Sequence, residues 1–199
     1  MKDMISSVLV LTVICAGSAL LLTGIRDSTS QQRKEQLLKY VQGPAVKKVL
    51  VETAGSTNDP IFDRTEALID DGSKLDVFVG KVDGKLKAIA FEAQAEGFGG
   101  TVSVMVGIDP ENETLVGIGV SAPKETPGVG SRVAEEPFGK QFPGLSLDEN
   151  IAVKADGGII DAVSGATTSS RAACKAVRRG IELYKTQKDN ILSAVQSMQ

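Results

Sequence analysis

A run of 21 residues without a charged side chain, Ile5 to Ile25, constrains this chain more than any other feature. At a rise of about 1.5 Å per residue, a helix of that length spans roughly 30 Å, the thickness of the hydrocarbon core of a bilayer. We therefore predict one membrane-spanning helix. The alternative is a cleaved signal peptide, but the uncharged core is longer than usual and only Lys2 precedes it as a basic residue.

The charges beside the predicted span do not settle its orientation. Lys2 and the amino terminus lie on one side, and Arg26, Arg33 and Lys34 lie on the other. The distribution of positive charges alone does not predict that the following domain is exported. A helical segment follows, and Gly43-Pro44 is predicted to end it.

Composition excludes several classes of function. The 199 residues carry a formal net charge of -3, without the basic, aromatic-rich patch that is typical of nucleic-acid binders. There is no histidine, and the two cysteines, Cys15 and Cys174, are predicted to be buried or lipid-facing thiols. Zinc, haem and iron-sulfur sites therefore lack their usual ligands. Any redox work must fall to an organic cofactor.

The pattern along the chain predicts an α+β fold: one transmembrane helix, then an antiparallel-sheet domain with packed helices. From Leu75 the hydrophobic pattern has a period of two, with a tight turn at Asp83-Gly84 and a second hairpin after it. Short strands are predicted at 151–155 and 158–163, and a helix after them. We divide the chain into a tail with a span (1–25), a juxtamembrane helix and linker (26–74), the domain (75–185) and a helical tail (186–199).

The segment "DAVSGATTSS", residues 161–170, places five hydroxyl side chains just before the predicted helix. One interpretation is a helix cap, in which Thr168, Ser169 or Ser170 accepts the first backbone N–H groups. A turn of small residues before a helix is also a favourable place for phosphate, since free N–H groups and the helix dipole converge there. Both interpretations stay open on the residues alone.

Three motifs resemble those of one known family. Residues 161–167, "DAVSGAT", resemble the Dxx(S/T)GAT flavinylation signature. Residues 125–130, "ETPGVG", are similar to the ETPGLG signature, and residues 97–100, "GFGG", to the GYxG segment before it. The family is the FMN-binding domain shared by the G subunit of the Rnf complex and the C subunit of the sodium-translocating NADH:quinone reductase. The resemblance covers Leu75 to Tyr184 and departs from the family at Pro123, often a histidine, and at Val129, usually a leucine.

The resemblance implies that FMN is covalently linked through its phosphate to Thr167. It implies further cofactor contacts by Ser164, Gly165, Ala166, Thr168, Glu125, Thr126, Pro127 and Gly128. Gly165 and Ala166 would keep the approach clear for a flavin transferase, and Asp161 would serve recognition by that enzyme or be a solvated turn carboxylate. On the residues, Glu125 is either a cofactor contact or an exposed loop carboxylate that needs no function, and Phe98 would stack near the flavin ring. No catalytic residue and no metal are implied.

The function implied by the resemblance is electron transfer by the redox subunit of an ion-translocating oxidoreductase complex, a translocase, without complete activity alone. Its partners would be the other membrane subunits of an Rnf-type complex, and its FMN domain would lie on the extracytoplasmic side of the cell (inner) membrane. The complex would couple electron exchange between ferredoxin and NAD to sodium or proton translocation. The alternatives are a stand-alone membrane-tethered flavoprotein and an anchored binding module without a redox role.

Overall fold

The computed structural model of the chain describes residues 2–70, 72–122 and 125–198. The chain forms two compact units, one ending at Tyr40 and the other beginning at Val41. The first unit is helical, and the second contains a five-stranded sheet.

The first unit is dominated by helix α1, Lys2–Leu37. Its segment Ser6–Arg26 is long and apolar enough to cross a membrane. The predicted apolar helix is therefore confirmed as a candidate span by its length and composition. The helix continues without a break through the first part of the segment that was predicted to be juxtamembrane.

Helical backbone also continues past Gly43-Pro44. A π-helix, Leu38–Gln42, is followed by α2, Gly43–Lys47, and by a second π-helix, Lys48–Thr53. The prediction that Gly43-Pro44 ends the helix was wrong. Pro44 lies in the first turn of α2, where a missing N–H costs no helical hydrogen bond.

The sheet is an antiparallel meander in which each strand pairs with the next one in sequence. Its strands are β1 Arg64–Leu68, β2 Lys74–Val82, β3 Lys85–Glu96, β4 Thr101–Asp109 and β5 Thr114–Ser121. The predicted α+β fold class is confirmed.

Local turn chemistry explains both predicted hairpins. Asp83 and Gly84 have φ angles of 50° and 78°, as the type I′ turn of a two-residue hairpin requires, and Val82 pairs with Lys85 across it. The turn between β4 and β5 is held by the buried Asp109, whose carboxylate accepts two backbone N–H groups of the residues that follow it.

Strand β1 was not predicted from the sequence. It lies inside the predicted linker and pairs with β2, so the sheet begins at Arg64 and not at Leu75. Only Ala67 of its five residues is buried. An edge strand that buries one small side chain leaves little hydrophobic pattern to detect.

One face of the sheet packs against α4, Thr167–Gln196. The core between them is aliphatic and aromatic, and its members include Val79, Phe91, Val104, Val106, Ala173, Cys174, Val177, Ile181 and Tyr184. Gly180 lets α4 approach closely, since a Cβ there would lie 2.9 Å from Val106 Cγ2. The helix is thereby held against the middle strands.

The other face carries a row of glycines under the segment 45–56. Gly107 lies directly opposite Gly117 on the neighbouring strand, and Gly119 follows two residues later. A Cβ at Gly107 would lie 2.2 Å from Val49 Cγ1, and one at Gly119 would lie 2.8 Å from the Ala45 carbonyl oxygen. The segment can pack there only because the sheet surface is bare backbone.

Helix α4 includes the predicted helical tail, which follows a kink. Gln187 has non-helical angles (φ -112°, ψ 17°) and a buried side chain. Its Nε2 donates to Asp70 Oδ2 at 2.7 Å, and its Oε1 accepts the Asp70 N–H at 3.3 Å. The bend turns Ile191 and Val195 into the core.

The connection from β5 to α4 is irregular. It contains two 3-10 turns, Gly130–Ala134 and Lys154–Asp156, and the short helix α3, Glu136–Gly139. The strands predicted at 151–155 and 158–163 do not form; a single bridge, Val153 to Ile160, is what the structure shows in their place. Gly157, with a φ of 81°, turns the backbone between them.

We predict that Gly119→Ala destabilises the protein by about 1–3 kcal/mol, the usual cost of overpacking. The new methyl group would overlap the backbone of Ala45, which cannot move aside as a flexible side chain can. Urea denaturation of the full chain in detergent micelles measures the change. Gly139→Ala is the control, since its nearest neighbour would lie at 3.8 Å. Equal stability of the two variants would contradict the close packing of segment 45–56.

Cys174 is expected to be inert in the folded protein. Burial raises the pKa of its thiol from 9.0 to about 11. At pH 8 this lowers the thiolate fraction about 100-fold, and the thiolate is the reactive form. In a Cys15→Ser variant, alkylation by iodoacetamide should therefore be at least about 100-fold slower in the native state than in urea. Comparable rates in both states would contradict the burial of this side chain.

Candidate functional site

A cavity of about 380 Å³ opens beside the first turn of α4. This volume lies within the range of small-molecule sites, roughly 300–1,000 Å³. The cavity is lined by Phe98, Glu125, Thr126, Val129, Gly130, Gly165, Ala166, Thr167, Thr168 and Ser169. All three sequence motifs therefore meet at one place in the fold.

Two sharp turns form part of the wall. In the turn 163–166, the Ala166 N–H donates to the Val163 carbonyl at 2.9 Å, and Gly165 has a φ of 78°. This is the conformation that a type II turn demands at its third residue. Glycine is thus needed at 165 for the backbone, and Ala166 is buried at the cavity wall.

The second turn, 126–129, has the same design. The Val129 N–H donates to the Thr126 carbonyl at 3.2 Å, and Gly128 has a φ of 73°. Pro127 and Gly128 thus occupy the central positions of a type II turn, but neither residue lines the cavity. The two turns come close to each other, because a Cβ at Gly165 would lie 3.9 Å from Val129 Cγ1.

Glu125 is buried, which excludes the alternative of an exposed loop carboxylate. The residue is only 3% exposed. Its Oε2 accepts the Ser169 hydroxyl at 2.6 Å, and its Oε1 accepts the Gly99 N–H at 3.0 Å. One carboxylate therefore joins the β3–β4 loop, the 125–131 loop and the first turn of α4.

Glycines make room for this carboxylate on two sides. A Cβ at Gly97 would lie 2.3 Å from Glu125 Oε1, and a Cβ at Gly130 would lie 2.5 Å from Glu125 Oε2. Any side chain at either position would displace the carboxylate. The glycines that begin one motif and end another thus serve a single buried group.

The crowded hydroxyls do not cap the helix. Helix α4 begins at Thr167 after Ala166, and no side chain of the described residues caps it. Ser169 donates to Glu125, while Ser170 accepts the Val163 N–H at 3.0 Å and donates to the Ala166 carbonyl at 3.0 Å. The cap interpretation was wrong because these hydroxyls make tertiary and loop contacts instead.

Thr167 and Thr168 also line the cavity, and both are more exposed than Ser169. Thr167, the first residue of α4, is half-buried, and Thr168 is exposed. The first helical backbone bond runs from the Ser170 N–H to the Ala166 carbonyl at 2.9 Å. The amides of residues 167–169 are therefore the N-terminal donors of a long helix, where an anion is stabilised.

Asp161 and Ser164 lie outside the cavity wall, and both are exposed. The Asp161 carboxylate pairs with Lys154 Nζ at 2.8 Å. Its backbone is fixed by Gln141, which accepts the Asp161 N–H at 2.7 Å and donates to the Asp161 carbonyl at 3.1 Å. Asp161 is thus presented on the surface near the turn 163–166.

Besides Phe98, three lining residues were not among the predicted cofactor contacts: Val129, Gly130 and Ser169. Phe98, expected to stack near the ring, is 77% exposed at the cavity edge. Val129 and Gly130 belong to the quoted motif and could have been included. Ser169 follows the signature by two residues, and only its contact with Glu125 reveals its place. Within the described ranges, no three His, Cys, Asp or Glu side chains are grouped to hold a metal ion.

Comparison with known proteins agrees with this geometry. The family model of the FMN-binding domain matches residues 97–182. The G subunit of the ion-translocating oxidoreductase complex of Aliivibrio fischeri strain MJ11 is 31% identical, over 94% of this chain and 92% of that protein. The chain belongs to the G-subunit family of ion-translocating oxidoreductase complexes. The resemblance stated from the motifs is thereby confirmed.

Other members of the G-subunit family match shorter or similar parts of the chain. The protein of Pseudomonas aeruginosa strain UCBPP-PA14 is 34% identical over 58% of this chain, and the match spans 57% of that relative's length. The protein of Cereibacter sphaeroides strain ATCC 17023 is 31% identical over 88% of this chain and 82% of its own.

A solved structure shares the fold. It is the C subunit of the Na(+)-translocating NADH-quinone reductase of Parabacteroides distasonis, with a TM-score of 0.55 and 18% sequence identity. The match covers 70% of this chain and 88% of that chain. The meander with its packed helices is therefore a fold that this G-subunit protein shares with a C-subunit protein.

Ser170→Ala is predicted to destabilise this G-subunit protein by about 1–3 kcal/mol, because the Val163 N–H loses its acceptor beside the core. Thr168→Ala on the same turn should change the free energy of unfolding by less than about 0.5 kcal/mol, since that side chain is exposed. Chemical denaturation of both variants measures the difference. A larger loss for Thr168→Ala would contradict these hydrogen bonds.

Proposed function

We propose that the chain is a membrane-anchored electron-transfer subunit that carries FMN covalently, by a phosphoester to Thr167. One observation carries the proposal: the Thr167 side chain is at the first residue of α4 and on the wall of the cavity that the three motifs build. A phosphate joined there lies at a helix N-terminus, where backbone amides and the dipole favour negative charge.

The residues of the site fit FMN by their chemistry. The N-terminal amides of α4 suit the phosphate, while Phe98 and Val129 offer apolar surface for a ring. Thr126 offers a hydroxyl and backbone groups for hydrogen bonds. When bound, the flavin would supply the electron-carrying chemistry, and the protein would hold it and set its electrostatic surroundings.

Thr167 is proposed to react once, during maturation, and not in turnover. Its Oγ1 forms a bond to the flavin phosphate, and the hydroxyl proton passes to a base of the transferase. The donor is a flavin whose phosphate is activated as a diphosphate, whose P–O bond breaks to release a nucleoside monophosphate. Asp161 is exposed beside the turn 163–166, where a transferase can reach it, and we propose that it serves recognition.

We propose that the partners are the other membrane subunits of an Rnf-type complex, which couples ferredoxin and NAD electron exchange to ion translocation. Membership of the G-subunit family supports this assignment. We place the domain on the extracytoplasmic side of the cell membrane. A covalent link is an advantage there, because a cofactor that cannot dissociate needs no local supply of free FMN.

The flavin link predicts a covalent mass on Thr167. Co-expressed with an active flavin transferase, the wild-type chain and Thr168→Ala should each gain the mass of one FMN less one water and fluoresce in a denaturing gel. Thr167→Ala should gain neither, since it has no Oγ1. Intact mass spectrometry and gel fluorescence measure both readouts.

A second acceptor protein in the same cells controls for transferase activity. A wild-type chain without added mass, beside a flavinylated control, would overturn the proposed link. Added mass on Thr167→Ala but not on Thr168→Ala would move the link to Thr168.

A further inference from the structure

Among the described residues that line the cavity, Glu125 has the one charged side chain. Its described partners are the Ser169 hydroxyl and the Gly99 amide, and both of these donors are neutral. Among the residues that the structure describes, no Lys or Arg forms an ion pair with it. The cavity therefore contains a negative charge that no described cation offsets.

We propose that Glu125 holds the reduction potential of the flavin low. The inference rests on the proposed function, because it concerns a flavin in this cavity. Reduction adds electrons to the ring, and a fixed negative charge in a poorly solvated wall disfavours that addition. Replacing the charge by a neutral group of the same shape should make the flavin easier to reduce.

The positive end of α4 acts in the opposite direction and is weaker. A helix N-terminus corresponds to roughly half an elementary charge, whereas the carboxylate carries a full one. Ser169 is the third residue of α4, so the helix end also stabilises the Glu125 charge itself. A phosphate diester on Thr167 adds further negative charge to the same turn. Among the described groups of the wall, negative charge therefore outweighs positive charge.

The charge is also fixed in position. With Gly97 and Gly130 on two sides and donors on both oxygens, the carboxylate cannot turn towards solvent without breaking both hydrogen bonds. A fixed charge does not reorganise when the flavin changes its redox state. This is the arrangement in which an electrostatic effect is largest.

The first test is Glu125→Gln in the flavin-linked protein. The amide has the shape of the carboxylate; its oxygen can accept the Gly99 N–H and its NH₂ can donate to Ser169 Oγ. At an ambient potential equal to the wild-type midpoint, the ratio of reduced to oxidised flavin should rise at least about tenfold. For a two-electron couple, this corresponds to a midpoint potential about 30 mV higher. Spectroelectrochemical titration measures it.

The matched control is Glu182→Gln. Glu182 is exposed on α4 and lies 15 residues beyond Thr167, about 22 Å along a helix. The substitution makes the same change in net charge, but solvent and salt screen it over that distance. In Glu182→Gln, the ratio of reduced to oxidised flavin should stay within about twofold of the wild-type ratio. This change is small compared with the tenfold change expected for Glu125→Gln.

The second test uses the sign of the effect. Ser169→Ala keeps the carboxylate and its Gly99 donor but removes the hydroxyl that partly neutralises the negative charge. More of that charge then acts on the flavin, so the ratio of reduced to oxidised flavin should fall. A purely structural role would make the two substitutions act in the same direction. In the double variant, the serine substitution should add little, because no charge is left for it to modulate.

The outcomes separate the two claims. A wild-type chain without covalent flavin defeats the proposed function and this inference together. A flavin-linked Glu125→Gln protein with a wild-type ratio, or a Ser169→Ala ratio that rises, defeats this inference alone. If Glu125→Gln takes up no flavin, Ser169→Ala decides: a lower ratio supports the inference, and an unchanged or higher one overturns it.

Discussion

The cavity depends on one interaction, the buried carboxylate of Glu125 with its two donors. A carboxylate buried without hydrogen bonds is far too costly for a marginally stable domain, so the donors must be in place whenever the residue is buried. The donors Gly99 and Ser169 lie 26 and 44 residues away from it in sequence, on opposite sides. Satisfying one charge thus brings the three motifs together and leaves the cavity between them.

The rest of the fold holds the two donors still. Strands β3 and β4 pair from Ile89 and Ile108 to Glu96 and Thr101, which fixes the loop that contains Gly99. Helix α4 is pressed against these strands at Gly180, and the contact of Gln187 with Asp70 fixes its far end. Local pairing and aliphatic burial therefore supply the rigidity that a precise polar contact needs.

The sequence predicts those features that local chemistry determines. The hairpins follow from a period of two and an Asp-Gly turn, and α4 follows from its helical period. Strand β1 was not predicted because it buries only one side chain, an alanine, and so has almost no hydrophobic pattern. The sequence does not decide between burial and exposure of Glu125, because loop carboxylates are usually solvated. Nothing in the sequence around Glu125 indicates that Ser169, 44 residues away, donates a hydrogen bond to its carboxylate. The predicted helix cap was wrong for the same reason. A hydroxyl near a helix N-terminus can bind a tertiary partner that no local rule anticipates.

The same carboxylate gives a physical reason for the proposed covalent link. Free FMN ends in a phosphate monoester, which carries a charge near -1.5 to -2 at neutral pH. Such an anion would be attracted by the first amides of α4 but repelled by Glu125, which is bonded to the same turn. A diester carries one negative charge, so the proposed link to Thr167 would reduce the repulsion and keep the helix contact. Attachment also removes the entropic cost of holding a free ligand. In the proposed holoprotein, a negative wall can therefore surround the flavin without weakening its retention.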